Sequence, residues 1–206
     1  MVAHRCRAWA IVGLIVGCSG RRAPPAHEDH ARAPLAAVDA GAPLAAVDAG
    51  APQDPATTAG LRAIAERAAR DPAAYPDFRF SYERGHALWG VTRFEVSAAG
   101  AYALESDETA GRRRRFHAAG QLRPRDRDSL LAAIRAARLF DMASSSRRLG
   151  DDEEPVIVVM SHGTMTHRLM LCGEDADANP RFDRLESLVQ ELVRQLSGGA
   201  VRPSGQ

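Results

Sequence analysis

Oxygen donors crowd one stretch towards the C-terminal end: Asp175, Asp177, Asn179, Asp183 and Glu186. Counted from Asp175 they stand at positions 1, 3, 5, 9 and 12, with Phe182 at 8. Carboxylates and an amide spaced in this way could surround a hard divalent cation such as calcium. The densest positive charge is the run Arg112, Arg113, Arg114, Arg115, which could meet phosphate, an acidic partner or lipid headgroups. On a strand alternate arginines point to opposite faces, so at most two of them cooperate on each side. The acidic run over residues 151–154 could also offset them. No aromatic side chains interleave the arginines to stack on bases, so no nucleic-acid partner is expected.

The oxygen-donor spacing resembles an EF-hand calcium loop, with a severe departure. Position 6 should be a glycine in a sharp turn of positive φ, whereas Pro180 locks φ near −65°. The segment before Asp175 also reads as strand, so the entering helix is missing. Asn179 as a helix cap, with Asp183 and Glu186 near the positive end of that helix, explains the same residues without metal. His27, Glu28, Asp29 and His30 are metal-capable, but ordering that region would cost about 1 to 2 kcal/mol per residue. Nucleophile candidates are Ser161 beside His162, the serines 144–146, and Cys172, which reads as a small buried hydrophobe at a strand end. None lies in a nucleophile elbow or a recognised cysteine-protease setting. No lysine is present, which excludes a phosphate-loop lysine and a Schiff-base amine. No cofactor is implied.

The elements that must position these groups begin at Tyr75, where the apolar period becomes two. Phe78, Phe80 and Tyr82 define a first strand, Phe94 and Val96 a second, and Tyr102 and Leu104 a third beyond a turn at Ala99 and Gly100. Residues 112–117 form a fourth strand with Phe116 inward. Pro124 then opens a helix carrying Leu130, Leu131, Ile134 and Ala137, ending near Phe140. Residues 156–160 and 165–171 flank Gly163 and Thr164 as a two-residue hairpin. In that register His162 faces Met165 and His167 faces Met160, which weakens a zinc pair. A last helix starts at Asn179 and Pro180 and carries Phe182, Leu185, Val189, Leu192 and Leu196. The order β-β-β-β-α-β-β-α predicts an α+β domain over 75–199, an antiparallel sheet of about six strands with helices on one face and a wet opposite face. Residues 57–74 hold room for a short helix, capped by Thr57 or Thr58 and running through Arg70, and residues 200–206 read as a disordered tail.

The first 18 residues speak of address. His4, Arg5 and Arg7 precede an apolar run over residues 8–17, about half of what spans a bilayer. The run ends in Ile15, Val16, Gly17, Cys18, which resembles the lipobox of bacterial lipoproteins. The resemblance implies a signal peptide over 1–17, acylation of Cys18, and a bilayer partner through two or three acyl chains, since one chain binds only marginally. Ser19 replaces the aspartate of inner-membrane retention in enterobacterial lipoproteins, so the implied location is the cell envelope, by analogy the outer membrane, facing the periplasm or cell surface. Loss of residues 1–17 removes Arg5 and Arg7 and no acid, turning the formal charge of +1 slightly negative. Such a balance argues against bulk polyanion binding. Cys6 leaves with the signal and Cys18 goes to lipid, so Cys172 has no partner for a disulfide. Residues 18–56 read as a disordered tether, in which the nonapeptide 33–41 repeats as 42–50. A flexible chain of that length reaches roughly 30 to 36 Å.

The function expected is a non-catalytic binding domain held near the membrane, contacting an envelope protein or a cell-wall component. An envelope hydrolase, with His162 or His167 joined to an acid in a pocket, and a calcium-dependent binding module are the alternatives.

Overall fold

The computed structural model describes residues 54–86, 88–109, 114–146 and 153–201. Cys18, the repeat, His27, His30, Arg112 and Arg113 lie outside the described residues, as does the tail from 202. Six strands form one antiparallel sheet: β1 (Arg79–His86), β2 (Gly90–Ser97), β3 (Ala101–Glu108), β4 (Arg114–Gln121), β5 (Val156–His162) and β6 (Met165–Leu171). The helices are α1 (Pro55–Ala68), α2 (Pro124–Ala137), α3 (Gly173–Asp177) and α4 (Pro180–Leu196). The α+β reading of the sequence therefore holds.

Strand order is β4-β3-β2-β1-β5-β6, so the returning hairpin adds to the free edge of β1 and makes β1 central. The register puts Phe80, Tyr82, Phe94, Val96, Leu104, Val158, Met160 and Leu169 on one face, and all are buried. Leu61 of α1, Leu130 and Ile134 of α2, and Phe182 and Leu185 of α4 complete that core. His162 opposes Met165 and His167 opposes Met160, as the two-residue hairpin requires. The other face carries a charge ladder, Glu83, Arg93 and Glu105 in register on three strands, with His117 beside Glu105 on the fourth. Arg93 bonds Glu83 at 2.6 Å and approaches Glu105 at 3.8 Å. Opposite charges on facing strands stabilise by a fraction of a kcal/mol each, about 0.2–1.

Several boundaries differ from expectation. The tether was expected to reach residue 56, yet α1 already includes Pro55 and Ala56, because the cap is Asp54 and not Thr57 or Thr58. Its carboxylate accepts Ala56 N–H at 3.2 Å and Thr57 N–H at 3.0 Å, and proline follows at the first helical position. The helix ends at Ala68, before Arg70. α2 stops at Ala137 because Arg138 turns left-handed at φ 54°, and Leu139–Asp141 continue as a 3-10 turn that buries Leu139. β4 runs on to Gln121, past Gly120, over which the Tyr102 ring lies. The tail begins later than residue 200: Val201 is buried, its N–H held by Ser197 Oγ at 3.2 Å. Helix α3 was not expected at all.

At the β1–β2 turn, Gly85 has φ +140° and Gly90 φ +125°. A Cβ on Gly90 would lie 2.5 Å from the Asp107 carbonyl oxygen, and one on Gly85 2.1 Å from that of Gly90. Gly90→Ala should therefore destabilise by about 2 kcal/mol or more, combining left-handed strain with a backbone clash. Urea denaturation followed by circular dichroism reads the loss as a lower midpoint.

Candidate functional site

Strand alternation carries Tyr82 and Arg84 onto the covered face, and the apolar stripe of α4 carries Glu186 to meet them. Arg84 Nη1 donates to Glu186 Oε1 at 2.8 Å, and the Tyr82 hydroxyl donates to the same oxygen. Arg84 Nε also donates to Glu154 Oε2 at 3.4 Å, and Nη1 lies 3.7 Å from Asp177 Oδ1. Glu186 is 4% exposed and Arg84 9%, so this is an interior ion pair. Gly173, at the first turn of α3, leaves the room: a Cβ there would be 3.3 Å from the Glu154 carbonyl oxygen and 4.0 Å from Arg84 Nη2.

Burial raises the Tyr82 phenol well above its ordinary value, and the Glu186 charge and hydrogen bond add to the rise. Burial alone would lower Arg84, but Glu186, through both hydrogen bond and charge, together with Tyr82 and Asp177, holds the guanidinium above its usual value. A phenol that keeps its proton and a guanidinium that cannot lose one make a poor acid–base pair. The cluster instead ties β1, the segment before β5, α3 and α4 to one point.

The oxygen donors whose spacing resembles a calcium loop are distributed among separate tasks. Asp175 accepts from the Ser145 hydroxyl, Asp177 approaches Arg84, and Asn179 Oδ1 caps α4 through Arg181 N–H at 3.1 Å and Phe182 N–H at 3.3 Å. Asp183 sits in the first turn of α4, and Glu186 points into the core. Among the described residues no group of three or more His, Cys, Asp or Glu side chains is placed to hold a metal ion. Glu186 turns away from the other donors, its Oε1 accepting from Arg84 and Tyr82.

The serine run serves the sheet edge. Ser145 N–H donates to the Met170 carbonyl at 2.8 Å, Ser144 Oγ accepts Met170 N–H at 3.1 Å, and Ser145 Oγ accepts Cys172 N–H at 2.9 Å. Cys172 is fully buried. His162 packs against Tyr75, while His167 is buried beneath Phe140, ring centroids 4.9 Å apart, and neither of its nitrogens has a hydrogen-bond partner. The joining of either histidine to an acid, expected for a hydrolase, is not found among the described residues. Of the arginine run, Arg115 pairs with Asp107 at 3.5 Å and Arg114 stands opposite Glu108.

Between α1 and α2 lies an open cleft of about 330 Å³, floored by Ala65 and Ile134 and rimmed by arginines. Three of its charged side chains engage one another: Arg62 and Arg138 both bind Asp141, at 2.5 and 2.6 Å, and Arg62 also donates to the Phe140 carbonyl. These contacts clasp α1 to the end of α2.

The most exposed apolar groups were not anticipated. Leu88 is 67% exposed and Trp89 54%, the large hydrophobic side chains left in water among the described residues. Their backbone is fixed from both sides. Leu88 N–H donates to His86 Nδ1 at 3.2 Å and Trp89 N–H to the His86 carbonyl at 3.0 Å. Thr109, at the end of β3, donates its hydroxyl to the Leu88 carbonyl at 2.6 Å and its N–H to the Trp89 carbonyl at 3.2 Å. A pinned turn presenting two large apolar side chains has already lost the entropy that binding would otherwise remove. The signal in the sequence was Leu88 and Trp89 set between Gly85 and Gly90 in a turn too short to bury them.

Truncating Glu186 to Ala should cost about 3–5 kcal/mol, since it strands a buried guanidinium. Glu186→Gln keeps a hydrogen-bond acceptor and should lose less, which chemical denaturation of the two variants would rank. Burial holds His167 below its ordinary value of 6.5, and the nearby Arg62 charge adds to the lowering. As pH falls below 6.5, the unfolded chain therefore takes up a proton before the folded one does. The His167 contribution should be complete above that pH and decline as pH drops towards the folded value. Urea midpoints measured at about pH 7.5 and about pH 5.5 should show this slope, and His167→Phe should flatten it.

No model of a known protein family matches the chain, and no characterised protein resembles it closely enough to register as a relative.

Proposed function

We propose that this chain is a lipid-anchored protein of the bacterial cell envelope whose α+β domain works as a non-catalytic binding module. The anchor rests on the basic start, the ten-residue apolar run over residues 8–17 and Cys18 behind Ile15, Val16 and Gly17. The observation that carries the binding role is the pinned turn exposing Leu88 and Trp89. It is supported by the way the reactive side chains are employed: Ser145 in an edge contact, Glu186 in an ion pair, and Cys172 in the interior. The Ala- and Pro-rich sequence between Cys18 and the helix that begins at Pro55 would serve as the tether that keeps the domain close to the bilayer.

Cells expressing the chain with labelled palmitate should incorporate label and place the protein in the membrane fraction. Cys18→Ser should abolish the label and release the domain, because without acyl chains no lasting anchor remains. Equal labelling of the variant would refute the lipoprotein reading.

A further inference from the structure

The geometry points to a second membrane contact: we infer that the β1–β2 turn docks on an anionic bilayer surface, with Leu88 and Trp89 as the wedge and Arg114 and Arg115 as its cationic flank. The two hairpin ends form one unit. β1–β2 and β3–β4 turn at the same end of the sheet, since Gly90 pairs with Glu108 and Glu108 with Arg114. Thr109 fastens them together through both backbone carbonyls of the wedge residues. Arg114 and Arg115 open β4, an edge strand of the sheet among the described residues, on its two opposite faces, so both flank a tip that meets the bilayer end-on.

The turn is a narrow tip, Leu88 and Trp89 together offering at most roughly 400 Å² of apolar surface. A bilayer interface asks only for shallow burial of an apolar tip, and indole is suited to the headgroup level because its ring is apolar and its N–H stays wet. Arginine supplies what the small wedge lacks: each basic side chain near an anionic leaflet strengthens binding by roughly fivefold. Asp107 and Glu108 oppose Arg115 and Arg114 across the strands. That leaves the attraction modest, so the contact is reversible and dependent on ionic strength. The carboxylates of Glu154 and Asp177 lie on the other side of the turn, around Arg84. The bilayer would therefore meet the β3–β4 side first, with the helical layer held away.

This inference takes its setting from the envelope reading, yet it can fail or stand without acylation of Cys18. The sequence contains only Trp9 and Trp89, so the full chain carrying Trp9→Phe and Cys18→Ser reports from Trp89 alone. It would be mixed with vesicles of phosphatidylglycerol and phosphatidylcholine, or of phosphatidylcholine only, in each case with and without brominated acyl chains. The residues 8–17 can keep the chain at the vesicle, and Trp89 emission then reads the turn itself. On the anionic vesicles Trp89 should shift to the blue and be quenched by bromine, less so at high salt. Leu88→Ser, at an exposed position, should weaken quenching, and Arg114→Gln with Arg115→Gln should lower the quenched fraction of Trp89 emission on the anionic vesicles about severalfold. Unshifted, unquenched emission from chain that sediments with the vesicles would overturn the inference and return the turn to a protein partner. Quenching equal on both vesicle types and indifferent to the arginine substitutions would overturn the cationic flank.

Discussion

A guanidinium taken out of water must be met by carboxylates or it unfolds whatever took it there. Arg84 rides into the covered face of the sheet on the same alternation that buries Phe80 and Tyr82, so the chain cannot bury one set without the other. Glu186, Glu154 and Asp177 converge on it from three separate segments. Replacing such a pair by apolar groups is often neutral, but removing one member is costly, and that asymmetry favours a specific arrangement of segments over alternatives. The short α3, with Gly173 at its start, exists in the gap this arrangement requires.

The order of the strands follows a similar logic of satisfied groups. After β4 the chain crosses the covered face as α2 and returns beside β1, so the strand that holds the ion pair becomes the middle of the sheet. The edges are then treated differently. At β6 the segment 144–145 bonds to the backbone of Met170 and Cys172, closing part of the row of free groups. At β4 the edge carries Arg114 and Arg115, charged side chains that discourage another strand from pairing.

With the interior polar groups engaged in this way, what faces solvent gains weight. The charge ladder on the open face is internally paired, and the cleft between α1 and α2 is clasped by Arg62, Asp141 and Arg138. The turn at Leu88 and Trp89 is different, because hydrogen bonds fix its backbone while its side chains contribute little to the core. Two glycines in conformations that other residues avoid serve a feature that gives the fold little burial. Such an expense is easier to understand as recognition than as stability.

Periodicity alone determined the class of fold here: alternation placed Phe78, Phe80 and Tyr82, helical spacing placed Phe182, Leu185 and Val189, and Gly163 with Thr164 set a hairpin register. These are local properties, fixed by backbone geometry within a few residues. The Asn179 and Pro180 cap was legible for that reason, and Asp54 before Pro55 carries the same local signal. Arg84 and Glu186 were legible in part, since each sits in phase with an apolar stripe, yet nothing in one stripe reveals a charge in another. Only the tertiary structure decided that they meet, that the serines hem an edge, and that Thr109 locks the Leu88 and Trp89 turn. Pairing between residues far apart in sequence depends on strand order and helix placement, and these are set by the packing of the whole core, which no local pattern records.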